Sequence, residues 1–384
     1  MCGEGGQKIG MLNLPQMLLL GSAGSNSGRR AFACRIISRL RTGRPDAPAA
    51  PDEHAETAPP LIIGLKLSTI RRETGAYRII ELKSMPCGED DADTVFLLEA
   101  TADCLTAGMQ ALLSRIPEDS IIVCESNTLR SFVVPGVFLM LRHVESDEID
   151  ASAAAVMSEV DQIVLFDDRD FDLAEDRILF FAGGFHLRDN ATLVLLAGGA
   201  SKRMGTNKSL IDYKGTPLIT HLHRALSPLF DETIISTNDR LPVTLENVRL
   251  IGDRPPGYGP IGGIVSSLEQ AKNPRVFITA CDIPTIHYDL IAKLMRESKN
   301  HEIVVSRSSE GYLEPLHAVY NRSVVPLVRS MIENNERRIR MVYDHVDTAY
   351  VALLPHQKMI NLNTPSEYRR FTESGAGIPP APVE

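Results

Sequence analysis

Two cations follow a glycine turn in the stretch Leu196-Ala-Gly-Gly-Ala-Ser-Lys-Arg-Met-Gly205-Thr-Asn-Lys208. Small residues such as Gly198 and Gly199 let backbone N–H groups approach an anion closely. Arg203 and Lys208 then add positive charge a few residues downstream. Amide donors together with cations are what a triphosphate asks of a binding loop. Further along, Asp282 ends an apolar run beside Pro284. It could hold Mg²⁺, which takes few carboxylates and fills its shell with phosphate oxygens and water, or it could cap the following helix. Asp253 stands before Pro255-Pro256, where it reads as a nucleotide contact or as a turn former. Asn238 follows another apolar run and reads as a nucleotide contact or as an Asx turn.

These residues need strands to carry them to one place. Short apolar runs predict strands at Leu193–Ala197, Thr233–Ser236, Val248–Ile251, Val276–Ala280, Ile303–Ser306 and His317–Val319. Helical patterns occupy Leu218–Leu229, Ile261–Lys272, Tyr288–Lys299 and Val325–Asn334. The first half alternates likewise, with runs at Met17–Leu20, Leu61–Leu67, Val95–Leu98, Ile121–Val123, Val137–Leu141 and Ile163–Phe166. Its helical patterns lie at Arg30–Leu40, Ala102–Ile116 and Ser152–Val160. Such alternation predicts mostly parallel sheets covered on both faces, with ligands bound beyond the carboxyl ends of strands. The reading is two α/β domains in series, residues 1–188 and 189–373. A Pro/Ala-rich mobile loop is expected at about 42–60 and a flexible tail at 374–384. His221 and His223 fall two apart on a predicted helix, share no face, and read as surface histidines rather than a metal site.

Composition narrows the function classes. The 384 residues carry a net charge of −9, which speaks against a general nucleic-acid binder. Residues 1–190 hold 18 basic and 29 acidic side chains, and residues 191–384 hold 22 and 20, so the second half can receive a polyphosphate without a large opposing field. No apolar run approaches the roughly 18–20 residues that span a bilayer. The six cysteines form no CxxC pair, which fits a reducing cytoplasm. No acidic residue occurs between Glu4 and Asp46, a composition similar to a transit peptide, but the stretch also reads as a strand, a glycine turn and a basic surface helix.

The glycine-turn stretch is neither a dinucleotide-binding GxGxxG nor a Walker loop. Its full pattern over residues 196–218, LAGGxSxRMGxxKxLxxxxGxPL, resembles the MobA-type molybdenum cofactor guanylyltransferases. Other segments resemble that family in the same order: Asp253, the run Gly259-Pro-Ile-Gly-Gly263, Cys281-Asp282-Ile-Pro284, Asn335-Glu-Arg-Arg338 and Asn361-Leu-Asn363-Thr-Pro365. The resemblance spans residue 190 to about 372. It implies a Rossmann-like, GT-A-like nucleotidyltransferase domain that moves GMP from GTP to molybdenum-molybdopterin and releases pyrophosphate. It implies Mg²⁺ on Asp282, Lys208 and Arg203 on the phosphates, and Leu196, Ala197, Gly198, Gly199, Asn238 and Asp253 about the nucleotide. The Gly198-Gly199 pair favours guanine. Asn361 and Asn363 would touch the pterin side or hold the site's loop. Two departures are Asn207, where Asp is frequent, and Glu314, where Gln is common.

In the first half, Gly21-Ser-Ala-Gly24-Ser-Asn-Ser-Gly28-Arg29-Arg30 joins a predicted strand to a helix in the manner of a P-loop. Arg29 replaces the expected lysine, Arg30 the Mg²⁺-holding hydroxyl, and Ala23 the first glycine. With Lys66 and the Val123–Arg130 segment, this half resembles the MobB-type accessory proteins of molybdopterin-guanine dinucleotide synthesis. A nucleotide fold with impaired hydrolysis is expected, against the alternative of a glycine turn with no ligand. Glu125 reads as a former water-orienting acid or a strand-end charge.

Three functions remain open from sequence: the guanylyltransferase; a CTP-using or sugar-phosphate nucleotidyltransferase with the same chemistry; and a non-catalytic scaffold that hands cofactor to a molybdoenzyme or insertion partner. Neither nucleic acid nor membrane is expected as a partner.

Overall fold

The computed structural model describes residues 11–42, 59–70, 76–82, 92–198, 208–362 and 364–373. The expected mobile loop, apart from its ends, and the expected tail lie outside them. Two compact units divide the chain, Met1–His186 and Leu187–Glu384.

The first unit carries strands β1 (Leu12–Ser22), β2 (Ile62–Thr69), β3 (Tyr77–Leu82), β4 (Thr94–Ala100), β5 (Ile121–Glu125), β6 (Val133–His143) and β7 (Gln162–Phe166). They form one sheet in the order β3-β4-β2-β5-β1-β6-β7, parallel throughout except at β3. Central β1 is a continuous apolar run, Met17–Leu20, fully buried on both faces, as a covered parallel strand requires. Helix α1 (Arg29–Thr42) follows β1, and α2 (Leu105–Leu113) follows β4. Ser152–Val160 does not form one helix. It divides into α3 (Ala151–Ala154) and a 3₁₀ turn, Met157–Glu159, with the β-branched Val156 at the break. A ribbon of β8 (Ile178–Phe181) and β9 (Gly184–Leu187) comes next.

The second unit begins with β10 (Asp189–Leu196), then the two-residue pair β11 (Asp212–Tyr213) and β12 (Thr216–Pro217), α4 (Leu218–Leu226), β13 (Phe230–Ser236) and β14 (Val248–Ile251). It continues with α5 (Pro260–Gln270), β15 (Arg275–Ala280), α6 (Tyr288–Glu297), β16 (Ile303–Arg307), β17 (Leu313–Asn321), α7 (Val325–Glu333), β18 (Thr348–Ala352) and α8 (Pro365–Glu373). Its main sheet runs β14-β13-β10-β15-β17-β16-β18. The first four strands are mutually parallel, and β17 is antiparallel to both of its neighbours. Val194, Ile234, Ile278 and Ala318 pack in one core with Ile261, Ile264 and Leu268 of α5. Among the described residues, no helix is long and apolar enough to cross a membrane.

Candidate active site

Three parallel strands, β13, β10 and β15, end side by side, and a cleft of about 580 Å³ opens at their carboxyl ends. Its walls include Leu196, Ala197, Gly198, Asn238, Asp253 and Asp282. The cleft therefore brings together six of the residues singled out from sequence. Gly199 and Arg203 lie outside the described residues, as do Asn363 and the side chain of Lys208. The backbone of Lys208 starts a 3₁₀ turn, and its neighbour Ser209 lines the cleft. Ala197 N–H donates to the Ser236 carbonyl and Cys281 N–H to the Leu196 carbonyl, so the strand ends are tied together just where the chain leaves the sheet. A Cβ at Gly198 would meet nothing nearer than 3.8 Å, so no packing inside the protein demands glycine there. The open backbone faces whatever enters.

Asp253 is held rigidly. Asn238 Nδ2 donates to one carboxylate oxygen at 2.9 Å, and Ser236 Oγ donates to the other at 3.3 Å. Asn238 Oδ1 in turn accepts from Asp253 N–H at 2.8 Å. Asn238 is thus a brace for Asp253. The Asn238 side chain is spent on Asp253 rather than on the Asx turn that was its alternative reading, and the local turn is closed by Thr237, whose Oγ1 accepts from Asp239 N–H. Gly263, in the first turn of α5, lets that helix reach the brace: a Cβ there would sit 3.3 Å from Asp253 Oδ1, Leu196 Cδ2 and Ser236 Oγ. Gly263 belongs to the Gly259–Gly263 run already noted in sequence, whereas Ser236 carried no signal beyond being a small residue at a strand end.

Asp282 follows β15 by two residues. Its carbonyl accepts from Leu362 N–H at 2.8 Å, which fastens the late 357–362 segment to the cleft and leaves Asn361 half-buried beside it. Ile360 N–H, bonded to Thr285 Oγ1, fastens the same segment. Burial first, and the charge of Asp282 second, push the Glu314 carboxyl above its usual range. Among the described residues, no group of three or more His, Cys, Asp or Glu could hold a metal. The Asp282 carboxylate on the cleft wall is a hard oxygen donor. It suits a divalent cation that completes its shell with phosphate oxygens and water, and it does not suit a metal caged wholly by protein.

His223 is not a surface residue, and His221 is half-buried. His221 Nε2 contacts the Tyr213 carbonyl at 2.6 Å and also Thr216 Oγ1. His223 is buried on the apolar face of α4, and burial lowers its pKa.

The glycine turn of the first unit borders a cavity of about 480 Å³ lined by Gly24, Arg29, Glu125, Glu148 and Asp150, among others. Ser22 N–H donates to Asn127 Oδ1 at 2.8 Å, and Ser22 Oγ donates to the Gly24 carbonyl and to Ser27 Oγ. Arg29 lies 3.5 Å from Glu125, a side chain 7% exposed. Gly28 has φ +69° and packs on Phe166, so a side chain would clash there. Asn127 and the loop's own carbonyl and hydroxyl oxygens take the Ser22 donors, and Glu125 of β5 pairs with Arg29.

Residues 193–349 match a family model described as the MobA-like NTP transferase domain. The chain is 32% identical over 189 residues to the "Probable molybdenum cofactor guanylyltransferase" of Carboxydothermus hydrogenoformans, covering 47% of this chain and 95% of that one. It is 32% identical over 182 residues to the "Molybdenum cofactor guanylyltransferase" of Vibrio cholerae, covering 46% and 89%. A solved structure of molybdopterin-guanine dinucleotide biosynthesis protein A from Archaeoglobus fulgidus aligns with a TM-score of 0.42 and 24% identity, over 48% of this chain and 97% of that one. The likeness to the curated relatives runs nearly their whole length, and the matched stretch carries the cleft strands, Asp253 and Asp282. On that ground, the chain belongs to the molybdenum cofactor guanylyltransferases.

Proposed function

We propose that this chain transfers GMP from GTP to molybdenum-molybdopterin, releasing pyrophosphate and forming the guanine dinucleotide form of the cofactor. The observation that carries this reading is the single cleft at three parallel strand ends, with Leu196, Ala197, Gly198, Asp253 and Asp282 all on its wall. A phosphate oxygen of the acceptor attacks the α-phosphorus of GTP in line. The bond from that phosphorus to the bridging oxygen breaks, and pyrophosphate leaves with the electron pair. No covalent enzyme intermediate is needed, so catalysis is positioning plus charge neutralisation.

The residues divide that work. Gly198, Gly199 and their neighbours offer amide donors to phosphate oxygens, and Arg203 and Lys208 neutralise the departing pyrophosphate. Asp253, pre-oriented by Asn238 and Ser236, accepts from the N1–H and N2–H₂ edge of guanine or from a ribose hydroxyl. Asp282 would hold Mg²⁺, which when bound supplies positive charge to the phosphate oxygens. Asn361 and Asn363 serve the pterin side or hold the 357–362 segment in place. The first unit reads as a P-loop-like accessory domain that has lost hydrolysis, and a molybdoenzyme or insertion partner would take the product. The compartment is the cytoplasm.

The test is to incubate the chain with Mg²⁺, molybdenum-molybdopterin and GTP, CTP, UTP or ATP, and to measure pyrophosphate. Release with GTP alone is expected. Release with CTP and not GTP would replace the guanylyl reading by a cytidylyl one, and nucleotide binding without release would favour the scaffold.

A further inference from the structure

Glu125 ends β5 on the wall of the first unit's cavity, with its side chain 7% exposed. Its Oε2 lies 3.5 Å from Arg29 Nε, and its Oε1 has no hydrogen-bond partner among the described residues. A buried carboxylate oxygen without a donor costs free energy, so a group that brings one is favoured there. The wall's nearby donors are already spent. Ser22 N–H and Oγ serve Asn127, Gly24 and Ser27, and Asn127 Nδ2 donates to the Ser22 carbonyl and to Ser152 Oγ. Glu148 and Asp150 add two carboxylates from the exposed segment between β6 and α3, against Arg29 as the one cation among the described residues of the wall. Glu148 Oε2 stands 3.5 Å from where a Cβ of Gly24 would be, so a carboxylate lies over the glycine turn where an anion would have to sit.

A cavity so lined asks for positive charge and N–H donors. A bare metal ion is a poor match, because among the described residues no three carboxylates converge as a metal shell requires. An extended organic cation carries its donors at separate points and can reach the buried Glu125 and the exposed Glu148 and Asp150 at once. The cavity, about 480 Å³, has room for more than an ion. The excess of acidic side chains in the first half draws cations toward it. We propose that this cavity binds a small linear polyamine, with one ammonium group donating to Glu125 Oε1 and another held by Glu148 and Asp150. The site thus takes the charge opposite to the one its glycine turn suggests. The inference is independent of the guanylyl reading of the second unit.

Spermidine serves as the probe, titrated calorimetrically into the full chain at about 0.15 M salt, where attraction to distant surface charge is screened. One saturable site per chain is expected. Glu125→Gln should weaken it by about tenfold or more, and Glu148→Gln and Asp150→Asn each by about three- to tenfold. Asp147→Asn removes the same charge from an exposed neighbour off the cavity wall and should leave the affinity unchanged. Circular dichroism checks that each variant is folded, and Glu148→Gln decides should Glu125→Gln not fold. Parent-like affinity in Glu125→Gln overturns the proposal, as does the absence of any saturable site. Equal weakening by Asp147→Asn also overturns it, since the acidic surface at large would then be the attractant. A Mn²⁺ site that Glu125→Gln abolishes, with no spermidine site, would overturn it in favour of a metal ion.

Discussion

The chain makes the same local motif twice, a glycine-rich turn after a buried central strand, and the two turns have opposite fates. After β1, the turn is closed upon itself. Asn127 and Ser22 take its polar groups, Glu125 takes Arg29, and Glu148 and Asp150 add negative charge to the cavity wall. After β10, the backbone at Gly198 meets no side chain that needs it to be glycine, while Asp253 is braced from two sides and Asp282 ends the neighbouring strand. A glycine turn is thus no evidence of a phosphate site until its donors have been accounted for. The first turn spends the Ser22 donors and Arg29 internally, whereas Gly198 at the start of the second lies on the cleft wall.

The largest expected effects separate the two turns directly. Lys208→Ala and Asp282→Ala should each lower pyrophosphate release by about a hundredfold or more, the scale of losing one charge-stabilising group, whereas Arg29→Ala should leave it within about twofold. Arg29→Ala should instead appear in stability, at about 1–2 kcal/mol in urea unfolding, because Glu125 is left buried without its partner. A large activity loss at Arg29 would mean that the first turn handles phosphate after all.

An intermediate effect is expected at the brace. Asn238→Ala frees the Asp253 carboxylate, and Gly263→Ala pushes on Asp253, Leu196 and Ser236 at once. Each should lower kcat/KM for GTP by about tenfold, through misplacement rather than lost chemistry. Discrimination between GTP and ATP should narrow in the same variants if Asp253 reads the base. Unchanged discrimination would assign Asp253 to the ribose.

The last effect is on the pH dependence of stability. Burial lowers the pKa of His317 in the second unit to about 3 and of His186 in the first to about 4. Both are neutral in the folded chain at pH values where the unfolded chain, near its ordinary 6.5, is protonated. The unfolded state therefore binds more protons between the folded and unfolded values. Stability should fall as pH drops below about 6.5, at up to about 1.4 kcal/mol per pH unit for each group. Thermal unfolding of the full chain from pH 8 to pH 4.5 checks the sign. His317→Phe and His186→Phe should each flatten the slope, and a slope unchanged in both variants would show that other groups govern the acid side.

Much of the second unit's site could be read from residues because its positioning is local. Leu193–Ala197 is a continuous apolar run, so it is a covered strand, and the glycines after it must lie at a carboxyl end. Asp253 and Asp282 each follow such a run by two residues. What escaped was non-local. Leu316 reaches the cleft only because β17 turns back antiparallel beside β15, a pairing that no spacing in the sequence announces. Edge strands β3 and β18 escaped as well, because their half-exposed residues carry a weak apolar signal. His223 looked like a surface residue since its HxH spacing says nothing about which face of α4 meets the core. The closure of the first turn escaped for the same reason: Asn127, Glu148 and Asp150 come from more than a hundred residues away in sequence.

The most direct measurement is a crystal structure of the full chain with Mg²⁺ and a non-hydrolysable GTP analogue. The account predicts one nucleotide per chain, its α-phosphate in the cleft between Gly198 and Asp282, and none at the turn bearing Gly24, Gly28 and Arg29. A triphosphate cradled by that first turn, with the β10 cleft empty, would contradict it.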